Sequence, residues 1–324
     1  MRIAVDAMGG DFAPAQVVQG ASQAATEYGL DISLVGLPSS VQPLLDRHPR
    51  LHFVPCSQVI TMEDHPVQAV RAKPDSSMCV CARLCKEGRA DGWMSAGNSG
   101  GIMAAALFIQ GRIKGIERPA LGSIVPTQNG FAYFLDVGAN VDSKPEYMVQ
   151  FATMGAVYAR EMLGRAEPRI GLLSNGEEDG KGDERVKETG RRLKGQLRGF
   201  VGNLEPKDIF AARADVVVAD GFVGNVAIKM AEATAEFVFR NLREEIPKTT
   251  RGKLGGLLIR PGVRALRARI DWREFGGAPL LGIDGVAVVA HGRSDARAIK
   301  NAVRVTRDAV EKQLVRKIRA EVGN

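Results

Sequence analysis

Short apolar runs closed by turn residues alternate along this chain with longer segments whose apolar positions recur every three or four residues. Ile3 and Val5 open a strand that ends at Asp6, and the turn Met8-Gly9-Gly10-Asp11 leads past Pro14 into a helix over 16–28. Strands follow at 32–35, closed by Gly36, and at 51–54. The pattern then predicts a helix over 76–87, a strand over 91–94 and a helix over 102–109. Segments 120–125 and 132–137 are strands, partly a hairpin around Asn129-Gly130, before a long helix over 145–163. A strand at 170–173, a helix at 184–196 and a brief strand at 200–201 come next. Asp215 to Ala219 is the clearest buried-strand signal, three valines after an aspartate, and a helix over 223–242 follows it. A late strand at 285–290 and a closing helix over 294–322 complete the series. Such alternation defines an α/β protein: a mostly parallel sheet, helices on both faces, and right-handed crossovers.

One segment departs from this rhythm. Between residues 248 and 273, basic residues including Arg260, Arg264 and Arg267 are interleaved with apolar ones including Leu257, Leu258 and Leu266, and Asp271 is the sole acid. The segment is either a solvated helical hairpin or a basic amphipathic projection, spanning 246–274, that faces an anionic membrane or an acidic partner. The rest of residues 1–324 is expected to form one catalytic unit or two intimate subdomains.

Composition narrows the function classes. The charge is 44 − 37 = +7, which suits any anionic substrate, partner or surface. Aromatic residues make up 6% and no RNA-binding or zinc-finger spacing is present, so no nucleic-acid partner is expected. No apolar run has the length of a membrane span. The opening MRIAVDAMGGDF reads as strand and turn rather than as a leader, so Cys56, Cys79, Cys81 and Cys85 are expected to be free thiols in a reducing cytoplasm. Their spacing suits neither paired zinc ligands nor a poised nucleophile. Neither a metal nor a cofactor is expected.

The candidate chemistry lies in polar glycine-rich turns that follow strands. Ser95-Ala96-Gly97-Asn98-Ser99-Gly100-Gly101 ends a strand and opens a helix. Unpaired N–H groups at such a junction face a common point, and glycine lets an anion approach the backbone. The alternative is a capped tight turn. Ala219 to Lys229 repeats the arrangement, with Gly221, Gly224 and Asn225 in the turn and Lys229 one helical turn after Asn225. Between them, residues 174–184 place Lys181 between Gly180 and Gly182, where it is either a solvated loop residue or a cation able to swing over a phosphate. Open α/β sheets bind ligands at the carboxyl edges of their strands, which favours the anion-site reading of all three.

Taken in order, several segments resemble the bacterial PlsX family, the phosphate acyltransferases of phospholipid synthesis. These are MRIAVDAMGGDFAP, AVRAKPDSSM, SAGNSGGIM, LDVGAN, GEEDGKGDE, ADGFVGNVAIK, FGGAPLLGIDG and AHGRS, and they span essentially the whole chain. The resemblance implies a three-layer α/β/α fold like those of isocitrate dehydrogenases and phosphate acetyltransferases. It implies reversible transfer of a long-chain acyl group from an acyl carrier protein thioester to inorganic phosphate, giving acyl phosphate for phosphatidic acid synthesis. It further implies a homodimer in the cytoplasm, associated peripherally with the anionic inner face of the cell membrane and coupled functionally to a glycerol-3-phosphate acyltransferase. Lys181 and Asn225 match the family's active-site lysine and asparagine. Gly97, Asn98, Ser99 and Gly100, with Gly224, are the expected phosphate-binding residues. Arg260, Arg264, Arg267, Leu257 and Leu258 are the expected membrane or carrier-protein contacts. The chain departs from the family pattern at Phe12, at Ser99-Gly100-Gly101 and at Ser174-Asn175. Three other functions are weighed at this point: a short-chain, coenzyme A-dependent phosphate acyltransferase; a metal- and NAD-dependent decarboxylating dehydrogenase, whose clustered acidic metal site these motifs do not assemble; and a non-enzymatic basic scaffold for lipid synthesis.

Overall fold

The computed structural model describes residues 1–45 and 48–322; residues 46–47 and 323–324 of the expected 1–324 unit lie outside the described residues. The first half comprises β1 (Arg2–Asp6), α1 (Ala15–Tyr28), β2 (Asp31–Gly36), α2 (Pro38–Val41), β3 (Leu51–Pro55), α3 (Pro66–Ala72), α4 (Ser77–Lys86), β4 (Gly92–Ser95) and α5 (Ser99–Ala105). The middle comprises β5 (Ala120–Thr127), β6 (Gly130–Leu135), α6 (Pro145–Leu163), β7 (Ile170–Leu173), α7 (Glu184–Gln196), β8 (Phe200–Leu204), α8 (Pro206–Phe210), β9 (Val216–Val218), α9 (Gly221–Glu245) and α10 (Thr250–Arg269). The chain then returns through β10 (Ala278–Leu281), β11 (Ala287–Val289), α11 (Ala296–Glu311) and α12 (Leu314–Val322).

The strands form one 11-stranded sheet in the order β3-β2-β1-β4-β11-β10-β5-β6-β9-β7-β8. Successive side chains of a strand point to opposite faces, and both faces here are covered. In β1, Ile3 and Val5 pack with Val17 of α1 and Ile299 of α11, whereas Ala4 packs with Met78 of α4 and Ile102 of α5. In β9, Val216 and Val218 pack with Phe151 of α6 and Ile318 of α12, whereas Val217 packs with Ile209 of α8, flanked by Ala227 and Ile228 of α9. The three-layer α/β/α architecture follows from that double burial.

Pairing is parallel at both ends of the sheet and antiparallel in the run β11-β10-β5-β6 between them. The expected hairpin is β5–β6, paired from Gly122↔Leu135 to Thr127↔Gly130. The antiparallel run has a larger consequence: strands β6, β9, β7 and β8 point opposite to β1, β2, β3, β4 and β11.

Several elements differ from the sequence reading. The closing helix is broken by Gln313, whose φ of 53 turns the chain between α11 and α12. Strand β10, a short apolar run behind Gly276 and Gly277, is not among the strands that the sequence pattern predicts. Helix α3 begins with Pro66 at its first position and is not among the helices that the sequence pattern predicts. The α5 segment continues as a wider π-type turn at Ala106–Gln110.

Candidate active site

In an open α/β sheet, ligands bind where neighbouring strands send their connections to opposite sides. This sheet has such a point on each side of its antiparallel run. The chain leaves β1 towards β2 and β3 and later returns to β4 on the other flank of β1. It likewise leaves β7 towards β8 and returns to β9 on the other flank of β7. The glycine-rich turn at 95–101 follows β4. The Lys181 loop follows β7, and the segment bearing Asn225 follows β9.

The first turn is built around Asp6, which is 2% exposed at the end of β1. Ser95 Oγ donates to Asp6 Oδ2 at 2.7 Å, the Met8 amide donates to Asp6 Oδ1 at 3.0 Å, and the Gly97 amide donates to Ser95 Oγ at 3.0 Å. Burial pushes the Asp6 carboxyl above its ordinary value, and hydrogen bonds from Ser77, Ser95 and the turn amides hold that rise back. Gly9 is required by close approach: a methyl group there would stand 2.6 Å from the Gly97 nitrogen. Asn98 caps α5 by accepting from the Gly101 amide at 3.0 Å. Its Nδ2 faces the Thr61 and Asp64 carbonyls, each at 3.2 Å, so this side chain ties down the 61–64 loop. The Ser99 and Gly100 amides are left with no acceptor among the described residues, and Ser99 is exposed. Of the residues expected to bind phosphate here, Ser99 and Gly100 therefore offer free donors, while the Gly97 amide and the Asn98 side chain are engaged within the turn.

The second turn is built around Asp136, 0% exposed just beyond β6. Its Oδ1 accepts from the amides of Leu121 at 3.0 Å, Gly138 at 3.2 Å and Ala139 at 3.0 Å. Its Oδ2 accepts from Asn140 N at 2.8 Å and Asn140 Nδ2 at 2.9 Å. Burial raises this carboxyl too, opposed by the donors from Ala139, Asn140 and Leu121. Helix α9 docks onto the loop: the Gly221 amide donates to Asn140 O at 2.8 Å and Asn225 Nδ2 donates to Val137 O at 2.8 Å. A side chain at Gly224 would collide with the Asp136 carbonyl oxygen, and the Gly224 amide donates to Asp220 O at 2.9 Å. Asp220 also caps the Phe222 and Val223 amides. Gly224 thus serves close packing, and the start of α9 has no free amide to offer among the described residues.

Lys181 is exposed, and its ammonium has no ion pair or hydrogen bond among the described residues. The loop beneath it is held by the Gly182 amide donating to Asn175 Oδ1 at 2.8 Å. Arg185 ties this region to its neighbours, reaching Asp142 at 3.2 Å, Asp183 at 2.9 Å and Asp220 at 3.8 Å. Groups from the two halves of the sheet also meet. Ala139 packs against the apolar cluster containing Ile102 and Ala105 of α5. The Asp11 amide donates to Gly292 O at 2.8 Å, and Arg293 reaches Glu236 of α9 at 3.6 Å. No hydrogen bond or ion pair joins Lys181 to Asn225 or to the 95–101 turn among the described residues.

Residues 1–317 match the family model described as a fatty acid synthesis protein. The chain is 46% identical over 327 residues to the phosphate acyltransferase of Heliobacterium modesticaldum, covering 99% of this chain and 98% of that protein. It is 49% identical over 318 residues to the phosphate acyltransferase of Geobacter sulfurreducens, covering 96% and 91%. The chain belongs to the phosphate acyltransferase family.

Solved structures extend the fold of this phosphate acyltransferase family member to more distant proteins. A phosphotransacetylase from Streptococcus pyogenes superposes with a TM-score of 0.66 at 18% identity, covering 96% of this chain and 94% of that one. A branched-chain phosphotransacylase from Enterococcus faecalis gives 0.60 at 15% identity, covering 96% and 99%. Family membership makes the chain an acyltransferase enzyme of lipid metabolism and sets aside the scaffold reading.

Elsewhere in this acyltransferase, α10 has no buried residue, and Leu257 and Leu258 are 62% and 76% exposed. Arg260, Arg264 and Arg267 make no ion pair among the described residues, whereas Arg269 anchors the base of the helix to Thr127 O at 2.8 Å. No helix among the described residues is long and apolar enough to cross a membrane. Cys56, Cys79 and Cys81 are buried and Cys85 half-buried, all unpaired. Burial pushes Cys56 up to about 11 and Cys85 up to about 12, so both stay protonated at neutral pH. Asp6, Ser95, Asp136, Asn140 and Arg185 were not singled out from the sequence. A signal for the two buried acids was present twice: an aspartate that ends an apolar strand immediately before a glycine-containing turn, in VDAMGG and LDVGAN.

Proposed function

We propose that the chain transfers a long-chain acyl group from an acyl carrier protein thioester to inorganic phosphate, releasing acyl phosphate and the free carrier thiol. The observation that carries this reading is the pair of unsatisfied amides at Ser99 and Gly100 on the turn after β4, in a chain related throughout its length to phosphate acyltransferases. Phosphate is itself the nucleophile, so no covalent residue is needed. Its oxygen attacks the thioester carbon, the C–O bond forms, charge develops on the carbonyl oxygen, and the C–S bond then breaks with the thiolate taking up a proton. The protein's tasks are to hold a multiply charged anion in line with the thioester and to stabilise the developing oxyanion.

In this reading the Ser99 and Gly100 amides, the Ser99 hydroxyl and Lys181 hold phosphate. Gly97, Asn98 and Gly224 shape the site. Asn225, with one amide hydrogen given to Val137 O, directs the other at phosphate or carbonyl oxygen. The exposed basic and leucine-rich face of α10, with Leu257, Leu258, Arg260, Arg264 and Arg267, suits an acidic carrier protein and an anionic leaflet. The same reading places the enzyme as a homodimer in the cytoplasm at the inner membrane face, handing acyl phosphate to glycerol-3-phosphate acylation. A short-chain coenzyme A thioester is the competing substrate. Side-by-side turnover of a long-chain acyl carrier protein thioester and acetyl coenzyme A separates the two. Preference for the carrier thioester is expected, and preference for acetyl coenzyme A would assign the short-chain reaction.

A further inference from the structure

We infer that Asp136 is the positioning residue for Asn225: its buried carboxylate gathers the amides of residues 138–140 and so fixes the loop whose Val137 carbonyl holds the Asn225 side chain. The carboxylate is 0% exposed, and no Lys or Arg pairs with it among the described residues. Burying a carboxylate without a cation is costly, and the cost is offset only when N–H donors surround it. Here the backbone amides of Leu121, Gly138, Ala139 and Asn140 and the Asn140 side chain all donate to it. The loop so closed is the surface on which α9 starts. Gly221 N meets Asn140 O at 2.8 Å, and Asn225 Nδ2 meets Val137 O at 2.8 Å. Asn140 Nδ2 also reaches Pro119 O at 2.8 Å, which fixes the loop to the segment leading into β5. Val137 itself is fixed by its amide donating to Leu121 O at 2.9 Å.

The chain of consequence is short. An amide at position 136 would turn an NH2 group towards N–H donors, leave at least one of them unpaired and loosen the loop. The Val137 carbonyl would shift, and Asn225 would lose its fixed orientation towards the substrate. The phosphate-holding groups at Ser99, Gly100 and Lys181 are attached to other strands and would stay in place. The inference rests on the reading that Asn225 contacts the reacting groups.

A double-mutant cycle in the full chain tests it, with long-chain acyl carrier protein thioester and phosphate as substrates and thermal unfolding as the check on folding. Asp136→Asn is expected to lower kcat about 10- to 100-fold, the loss that misplacing a catalytic group typically brings. Combined with Asn225→Ser it should cost little beyond Asn225→Ser alone, because both changes disable the same group. Combined with Lys181→Ala the losses should multiply. Multiplying losses with Asn225→Ser as well, or near-normal turnover in a folded Asp136→Asn enzyme, would overturn the assignment. Full turnover in Asn225→Ser would instead overturn the catalytic reading of Asn225, and the inference with it. Should Asp136→Asn fail to fold, Asn140→Ala, which removes one donor to Asp136 Oδ2, carries the same cycle with the same expected pattern.

Discussion

Lys181 stands on the loop after β7 with its ammonium exposed and unpaired among the described residues. An unpaired cation of this kind is inexpensive to remove for folding and expensive to remove for anion binding. Lys181→Ala should therefore leave the thermal midpoint nearly unchanged while raising the phosphate KM about 10- to 100-fold, as expected for a lost charge-assisted hydrogen bond. Initial rates over a phosphate series measure it, and an unaltered KM would remove Lys181 from the phosphate site. At this scale the sequence was informative where residue type and chemistry coincide: Lys181, Asn225 and Ser99 are polar groups in turns and attract notice. It was uninformative where a polar group serves the interior. Asn98 reads as a phosphate donor from its type, but its amide is spent on the 61–64 loop. Asp6 and Asp136 read as strand residues, and nothing in the sequence shows their roles, because burial is a property of the folded chain.

The elements that carry the site are held at their far ends by other interactions, of which Asp215 at the start of β9 is the clearest. Its side chain is 10% exposed and accepts from the Arg169 amide at 2.9 Å and from Arg169 Nε at 3.0 Å. Burial alone would raise this carboxyl, but the Arg169 side chain and amide and the nearby Arg165 charge outweigh it and hold it below its ordinary value of 3.8. Asp215→Asn should cost about 1–3 kcal/mol in urea unfolding at neutral pH. Because the folded carboxyl titrates below the unfolded one, this contribution is complete above 3.8 and disappears as pH falls through the lowered folded value. The stability difference between wild type and Asp215→Asn should accordingly shrink under acid; a pH-independent difference would refute the ion-pair origin. Most long elements were legible from periodicity, including α1, α6, α7 and the valine strand β9. Strand β10 and helix α3 were not: a short buried strand carries no alternation, and a helix opening with proline after a polar turn looks like a longer turn.

Across the whole molecule, the antiparallel run β11-β10-β5-β6 reverses strand direction between the halves and separates the two switch points, one at β1 and one at β7. Strand–helix alternation in the sequence announces a largely parallel sheet but contains nothing about this reversal, which depends on pairing between residues far apart in the chain. The other large-scale feature is α10, which has no buried residue. Its charges and leucines were plain in the sequence, and the structure leaves Leu257 and Leu258 uncovered in the single chain. Replacing both with aspartate removes apolar area without disturbing a core. The thermal midpoint should hold, while binding to liposomes containing anionic lipid should fall about tenfold or more, given about 1.5–3 kcal/mol for each leucine buried on insertion. Cosedimentation reads this directly, and unchanged binding would refute the membrane role proposed for α10.

The proposed reaction has phosphate itself attack the acyl thioester, with no covalent acyl-enzyme. The most direct measurement is rapid mixing of the enzyme with long-chain acyl carrier protein thioester, with and without isotopically labelled phosphate, following carrier thiol and labelled acyl phosphate together. One labelled acyl phosphate for each thiol released is expected, with no burst of thiol when phosphate is absent. A stoichiometric thiol burst without phosphate, or thiol release without labelled acyl phosphate, would contradict it.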